Sequence, residues 1–183
     1  MRPMLFDRFF QRRRTERAAA ELYLAAVEQA RQPAFYGQLG VPDTLEGRYD
    51  MIILHVWMVM RRLGRAGAGA ESLAQATVER MFDDMDRNLR EMGVTDLRVG
   101  KRVRHMAEAF YGRAGAYDKA LGEGDAALVA ALTRNLYQAA EPAPAQVEAV
   151  ARYVRAQLAH LDNGDTESLC EGRVSFVSPE VRA

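Results

Sequence analysis

Ten consecutive residues, Met51 to Met60 (MIILHVWMVM), leave little choice of fold. They hold one polar side chain, His55, and Ile52, Ile53, Leu54, Val56, Trp57, Val59 and Met60 fall on every side of a helix. A cylinder that is apolar all round must be surrounded on all sides. The run is far shorter than the roughly 18 apolar residues a membrane span needs, so it is expected to form the buried centre of a helical bundle. Asp43 followed by Glu46 predicts a capping box that opens this helix, and Gly64 predicts its end.

Helical periodicity continues on both sides of this centre. Ser72 with Gln75 predicts a second capping box and Gly93 a stop. Between them Ala74, Val78, Met81, Phe82, Met85, Leu89 and Met92 share one face, and Glu79, Asp83, Asp86 and Arg90 share the other. After a short connection from Val94 to Leu97, a third helix turns Val99, Val103, Met106 and Phe110 inward and Lys101, Arg104 and Glu108 outward. Asp125 is expected to cap a helix reaching about Tyr137, and Pro144 to open one reaching about Leu161, with Pro142 between them. At the front, Met4 to Phe10 reads as a short amphipathic piece and Thr15 to about Gln32 as a separate helix. Past Asn163-Gly164 the pattern lapses into a polar tail in which Arg173 to Val177 alternates like a strand. The expected architecture is all-α, a compact single-domain bundle of about six helices. It divides into an amphipathic basic segment (1–14), a helical domain (15–162) and a C-terminal tail (163–183).

Composition narrows the chemistry. With 183 residues the chain suits one ordinary domain, and its single cysteine, Cys170, excludes a disulfide framework or a cysteine-cluster zinc site. The acidic stripe Glu79, Asp83 and Asp86 offers oxygen ligands to a divalent cation. The same residues offer (i, i+4) partners to arginine, Asp83 to Arg87 and Asp86 to Arg90, as Arg87 does to Glu91, which is how a solvated helix is usually decorated. His55, inside an apolar run, is expected to be a hydrogen-bonded core residue, and His105 and His160 to lie at the surface. No Glu-x-x-His pair, no Gly-x-Ser-x-Gly elbow and no Lys-Ser/Thr after the glycines of 64–69 occur. The reading is therefore a protein without catalytic groups, cofactor or metal. The Met4 to Arg14 stretch is too interrupted by charge for a signal-peptide core, so the chain is expected to work in the cytoplasm, peripheral on the inner face of the membrane.

Charge is balanced in total and uneven in place: 25 basic against 25 acidic residues overall. Met1 to Asp50 sums to +1, Met51 to Tyr117 to +3 and Asp118 to Ala183 to −4. Two features look like binding surface. Leu5, Phe6, Phe9 and Phe10 share a helical face beside Arg8, Arg12, Arg13 and Arg14, a pattern suited to an anionic membrane surface. The run Arg98, Lys101, Arg102, Arg104 is a basic patch suited to RNA or lipid phosphate, although a solvated face needs no partner. Seven of the nine methionines lie between Met51 and Met106, where they serve either as core filling or as an adaptable surface for apolar partners.

The strings Tyr36-Gly37-Gln38-Leu39-Gly40-Val41-Pro42-Asp43-Thr44-Leu45-Glu46-Gly47-Arg48-Tyr49-Asp50, Leu54-His55-Val56 and Arg61-Arg62-Leu63 carry a resemblance. So do Asp84 to Asp96 (DMDRNLREMGVTD), Val99-Gly100-Lys101, and Phe110-Tyr111-Gly112-Arg113 with Tyr117. They resemble the ubiquinol-cytochrome c chaperone family, and the Arg-rich, Lys-poor chain looks like a bacterial member. The resemblance implies an assembly chaperone with newly made cytochrome b as client, acting beside the membrane and the translating ribosome with a small partner protein. Within the matching strings, Asp43, Arg48, Asp86, Arg90, Glu91, Asp96, Tyr111 and Arg113 are the candidate client or partner contacts. Asp43, Gly47 and Arg48 have a structural alternative as cap and cross-link of the central helix, and Glu91, Gly93 and Asp96 as residues that fix the turn around Gly93. The other readings are a small-molecule or metal-binding bundle built around His55 and the acidic stripe, or a general peripheral membrane adaptor.

Overall fold

In a computed structural model, residues 4–67, 69–138 and 140–179 are described, with side chains for all of these except residues 4–8 and Leu97. The helices are α1 (Met4–Ala30), α2 (Pro33–Gly37), α3 (Leu45–Gly64), α4 (Ala70–Glu91), α5 (Asp96–Glu123), α6 (Asp125–Leu132), α7 (Pro144–Asn163) and α8 (Thr166–Cys170). A π turn, Thr133–Tyr137, continues α6. No strand pairing occurs among the described residues, and no helix of theirs is long and apolar enough to cross a membrane.

The apolar run does what its pattern demands. α3 packs against α1, α4, α5, α7 and the π turn, and it supplies a face to each of three apolar clusters. Met51, Leu54, Trp57 and Met58 join Phe35, Tyr117, Leu132, Tyr137, Val150 and Val154. Val59 and Leu63 join Ala18, Leu22 and Leu73, while Ile53 and Val56 join Val27, Val78, Met81 and Phe110. Met51, Met58, Met81 and Met85 are buried in these clusters, which is core filling. Met92 is 54% exposed, off the buried face assigned to it.

Several local expectations are corrected. α3 is capped by Thr44, whose side chain accepts from the Gly47 amide at 3.0 Å, while Asp43 pairs instead with Arg48 at 2.6 Å. Gly47 is required at this crossing, because a Cβ there would stand 2.1 Å from the Pro42 carbonyl oxygen. α4 begins at Ala70, two residues before Ser72. The Ser72 hydroxyl donates to the Gly69 carbonyl and Gln75 bonds Glu79, so neither caps the helix. Gly124, not Asp125, holds the N-cap position of α6. The two front pieces are one continuous helix of 27 residues. The Gln-Arg run that interrupts the apolar pattern consists of good helix formers and contains no Gly or Pro, so it breaks the face without breaking the backbone.

The segment after Asn163 is better built than a polar tail. Asp165 caps α8, and Leu169 is buried. Arg62, itself buried, donates to the Leu161 carbonyl at 2.8 Å, the Gly164 carbonyl at 3.2 Å and the Thr166 hydroxyl at 2.6 Å. The alternating residues that follow run extended, with glutamines in place of a neighbouring strand. Gln157 accepts from the Val177 amide at 2.7 Å and Gln29 donates to the Val177 carbonyl at 2.8 Å.

Candidate functional site

The sequence-derived contact residues do not converge on one site. Asp43 and Arg48 sit exposed at the head of α3, with the Arg48 guanidinium 5.6 Å from the centre of the Tyr36 ring. Arg90 reaches Asp86 at 2.6 Å on its own helix and also Asp96 at the start of α5, so these three meet at the α4–α5 corner, where Glu91 is exposed. Tyr111 stands outward from α5, 51% exposed. Arg113, two residues on, turns inward. The basic residues Arg98, Lys101, Arg102 and Arg104 are exposed along the first turns of α5, and none of them is ion-paired among the described residues. On α1, Phe9 and Phe10 are exposed at 51% and 65%, with the Arg13 guanidinium 4.6 Å from the Phe9 ring centre. Leu5 and Phe6 lie outside the described side chains.

Of the acidic stripe, Asp86 is engaged by Arg90, and Asp83 and Glu79 point outward. Among the described residues no three His, Cys, Asp or Glu side chains converge as metal ligands do. His105 and His160 are exposed, the latter 2.9 Å from the Ser175 hydroxyl, and Cys170 is an exposed free thiol.

Besides Arg62, two buried polar centres lie along α3. The first is His55, fully buried, whose Nδ1–H donates to the Met51 carbonyl at 2.8 Å. That bond fixes the tautomer, because a carbonyl only accepts. Nε2 therefore accepts from the Tyr153 hydroxyl at 2.8 Å. Tyr153 in turn accepts from Gln29 at 3.0 Å, and Gln29 also holds the Val177 carbonyl, so the chain of bonds ends on backbone at both ends. Phe35 and Phe176 stand edge-on to the imidazole with ring centres 5.4 and 5.5 Å away. Burial pushes the imidazole down to about 4, against the opposing pull of the Met51 carbonyl, and holds it neutral.

The second centre was not singled out from the sequence. Asp50, buried at the head of the apolar run, pairs with Arg113 of α5 at 3.0 Å and accepts a hydrogen bond from Gln138, just after the π turn. Burial raises its carboxyl to about 6, although both Arg113 and Gln138 pull it down. Close by, Trp57 and Tyr117 pack at a tilt with ring centres 5.1 Å apart, and Tyr117 lies within reach of the Asp50 charge. The signal for this centre was present in the sequence. A carboxylate one residue before an all-buried stretch has to find a cation, and Asp50 and Arg113 occur in the same set of matching strings.

The sequence model of the ubiquinol-cytochrome C chaperone family matches residues 37–176. The chain is 32% identical over 152 residues to a frog (Xenopus laevis) protein named ubiquinol-cytochrome-c reductase complex assembly factor 1, covering 83% of this chain and 76% of that one. The human protein of that name is 30% identical over 160 residues, covering 87% and 54%. Protein CBP3 of yeast mitochondria (Saccharomyces cerevisiae) is 27% identical over 152 residues, covering 81% and 45%. The chain thus spans about three quarters of the frog protein and about half of the human and yeast ones. The crystal structure of the Cbp3 homolog from Brucella abortus superposes with a TM-score of 0.83 at 36% identity, covering 98% of both chains.

Proposed function

Because the chain belongs to the ubiquinol-cytochrome c chaperone family, we propose that it assists assembly of ubiquinol-cytochrome c reductase by holding newly made cytochrome b, without catalytic turnover. The observation that carries this reading is the match along residues 37–176, joined to a superposition over nearly the whole chain with a bacterial relative. The physical character of the molecule supports it. The polar side chains Asp50, His55 and Arg62 of α3 are buried, and the exposed features of the molecule are aromatic and basic, which suits contact with chains and membranes.

In this reading the 1–14 segment meets the inner face of the membrane through Phe9 and Phe10, with Leu5 and Phe6 on the same sequence face, while arginines reach lipid phosphate. The basic patch Arg98, Lys101, Arg102, Arg104 meets the ribosome near the emerging client. The exposed residues Tyr111, Glu91, Asp43 and Arg48 contribute to the surface that meets the client or a small partner protein.

Deleting the gene should remove assembled, active reductase from the membrane; normal levels of the complex would refute the role. Removing residues 1–14 should reduce co-sedimentation with anionic vesicles. Reversing the four basic charges on α5 should abolish a salt-sensitive association with ribosomes, and a salt-independent association would exclude that contact.

A further inference from the structure

The connection between α6 and α7 is the most strained part of the described chain. Five residues, Thr133–Tyr137, pass through a π turn, and Gln138 follows at φ 44°, the one positive φ outside glycine among the described residues. Such conformations persist where surrounding structure enforces them, and they cluster at switches and sites. Here the enforcement comes from α3 and α5. Gln138 donates to the Asp50 carboxylate, and Arg113 bridges that carboxylate at 3.0 Å and the Asn135 carbonyl at 3.5 Å. Tyr137 is buried and donates to the Leu39 carbonyl at 2.6 Å.

The balance is incomplete. Trp57 Nε1, the Tyr117 hydroxyl and Asn135 Nδ2 are buried at this same place without hydrogen-bond partners, in contrast to the closed network around His55. The groups facing Asp50 are Arg113 and Tyr117 from α5, Gln138 from the turn with Arg134 beyond Tyr117, and Tyr49 and Glu46 from α3 itself. Of these only Arg113 makes an ion pair with Asp50, and Arg113 is itself partly open to solvent, so the buried charge is incompletely compensated. Opening the turn would hydrate Asp50 and the unpartnered donors and relieve the backbone strain, whereas neutralising Asp50 removes the main reason to open.

We propose that residues 133–138 form a proton-linked latch on the α3 core, closed when Asp50 is neutral and favoured to open when it is ionised. Opening withdraws Leu136 and Tyr137 from their cluster and uncovers apolar surface between α3 and α7. That this surface then receives an apolar client rests on the proposed function. The latch itself does not, and its test reads opening alone.

The test is hydrogen exchange by mass spectrometry on the full chain, corrected for intrinsic rates, together with acrylamide quenching of Trp57, the single tryptophan. With an ordinary carboxyl at 3.8 in the open form and about 6 in the closed form, opening at 133–138 should rise about tenfold from pH 5 to pH 7. Peptides from α1 and α4 should not follow. Asp50→Asn should abolish this pH dependence and protect the turn, while Arg113→Gln should increase exchange there at pH 7. Opposite effects from the two variants separate a charge-driven latch from general loosening. Equal protection of the turn at both pH values in the wild-type chain would overturn the proposal, as would an unchanged pH dependence in Asp50→Asn. The wild-type comparison decides alone if a variant fails to fold. A latch that opens as described in a protein whose deletion leaves the reductase intact would uphold this inference and refute the client reading.

Discussion

His55 and Asp50 lie on one helix five residues apart, both buried, and they are handled in opposite ways. The imidazole is neutral and sits in a chain of bonds from Met51 to Val177 that leaves no member short of a partner. The carboxylate is held by one half-buried arginine and one glutamine in a strained turn, with three unpartnered donors beside it. Burial alone therefore says little about a polar group. A neutral group with matched partners stiffens the core, whereas a charged group with incomplete ones creates a place where the core can give.

The sharpest way to break the comparison is at Arg113. Arg113→Ala strands a buried carboxylate and should cost about 3 kcal/mol, the low end for such a loss because Arg113 is partly open to solvent. The midpoint of urea unfolding measures it, and a cost near zero would mean that Asp50 is already protonated at neutral pH. Next comes acid. The lowered His55 makes stability fall as pH drops from 6.5 through about 4, while the raised Asp50 makes stability rise as pH drops through about 6, so the two oppose each other in the wild-type chain. Asp50→Asn removes the second contribution and should expose a decline of about 2 kcal/mol between pH 6.5 and 4.5, read from urea titrations across that range. A flat profile in this variant would show that His55 is not held neutral.

Tyr153→Phe should come third, at about 1.5 kcal/mol, because His55 Nε2 loses its donor while Gln29 keeps the Val177 carbonyl. Its melting temperature should drop with little change at the 133–138 turn. Arg90→Ala sets the lower bound. Its carboxylate partners are in water, so the melting midpoint should stay within error, and a clear drop would show that the α4–α5 corner depends on this cluster.

What the sequence revealed follows from the range over which each interaction acts. The all-round burial of α3, the inner face of α4 as far as Leu89 and the stops at Gly64 and Gly93 are statements about neighbours a few residues apart, and they hold in the structure. His55 was legible as a hydrogen-bonded core residue, but its partner Tyr153 is 98 positions away, and no local pattern identifies it. The same is true of Gln138, 88 positions from Asp50. The segment after Asn163 reads as a polar tail because its backbone partners are glutamine side chains on α1 and α7, which leave no periodic trace. Thr44 displaced Asp43 as the cap because Arg48 engages the carboxylate, a competition that spacing alone does not resolve.

The three-faced packing of α3 also sets an order of events during synthesis. As the chain leaves the ribosome N-terminus first, α1, α3 and α4 can form most of the clusters around Leu22 and Met81, which Phe110 and Leu169 complete later. The remaining face, Met51, Leu54, Trp57 and Met58, waits for Tyr117, Leu132 and Val150, which emerge some 60 to 100 residues later. Until then the nascent protein carries a bare apolar strip along its longest-buried helix. A helper of this shape passes, in its own infancy, through the same exposure from which it would shelter a client.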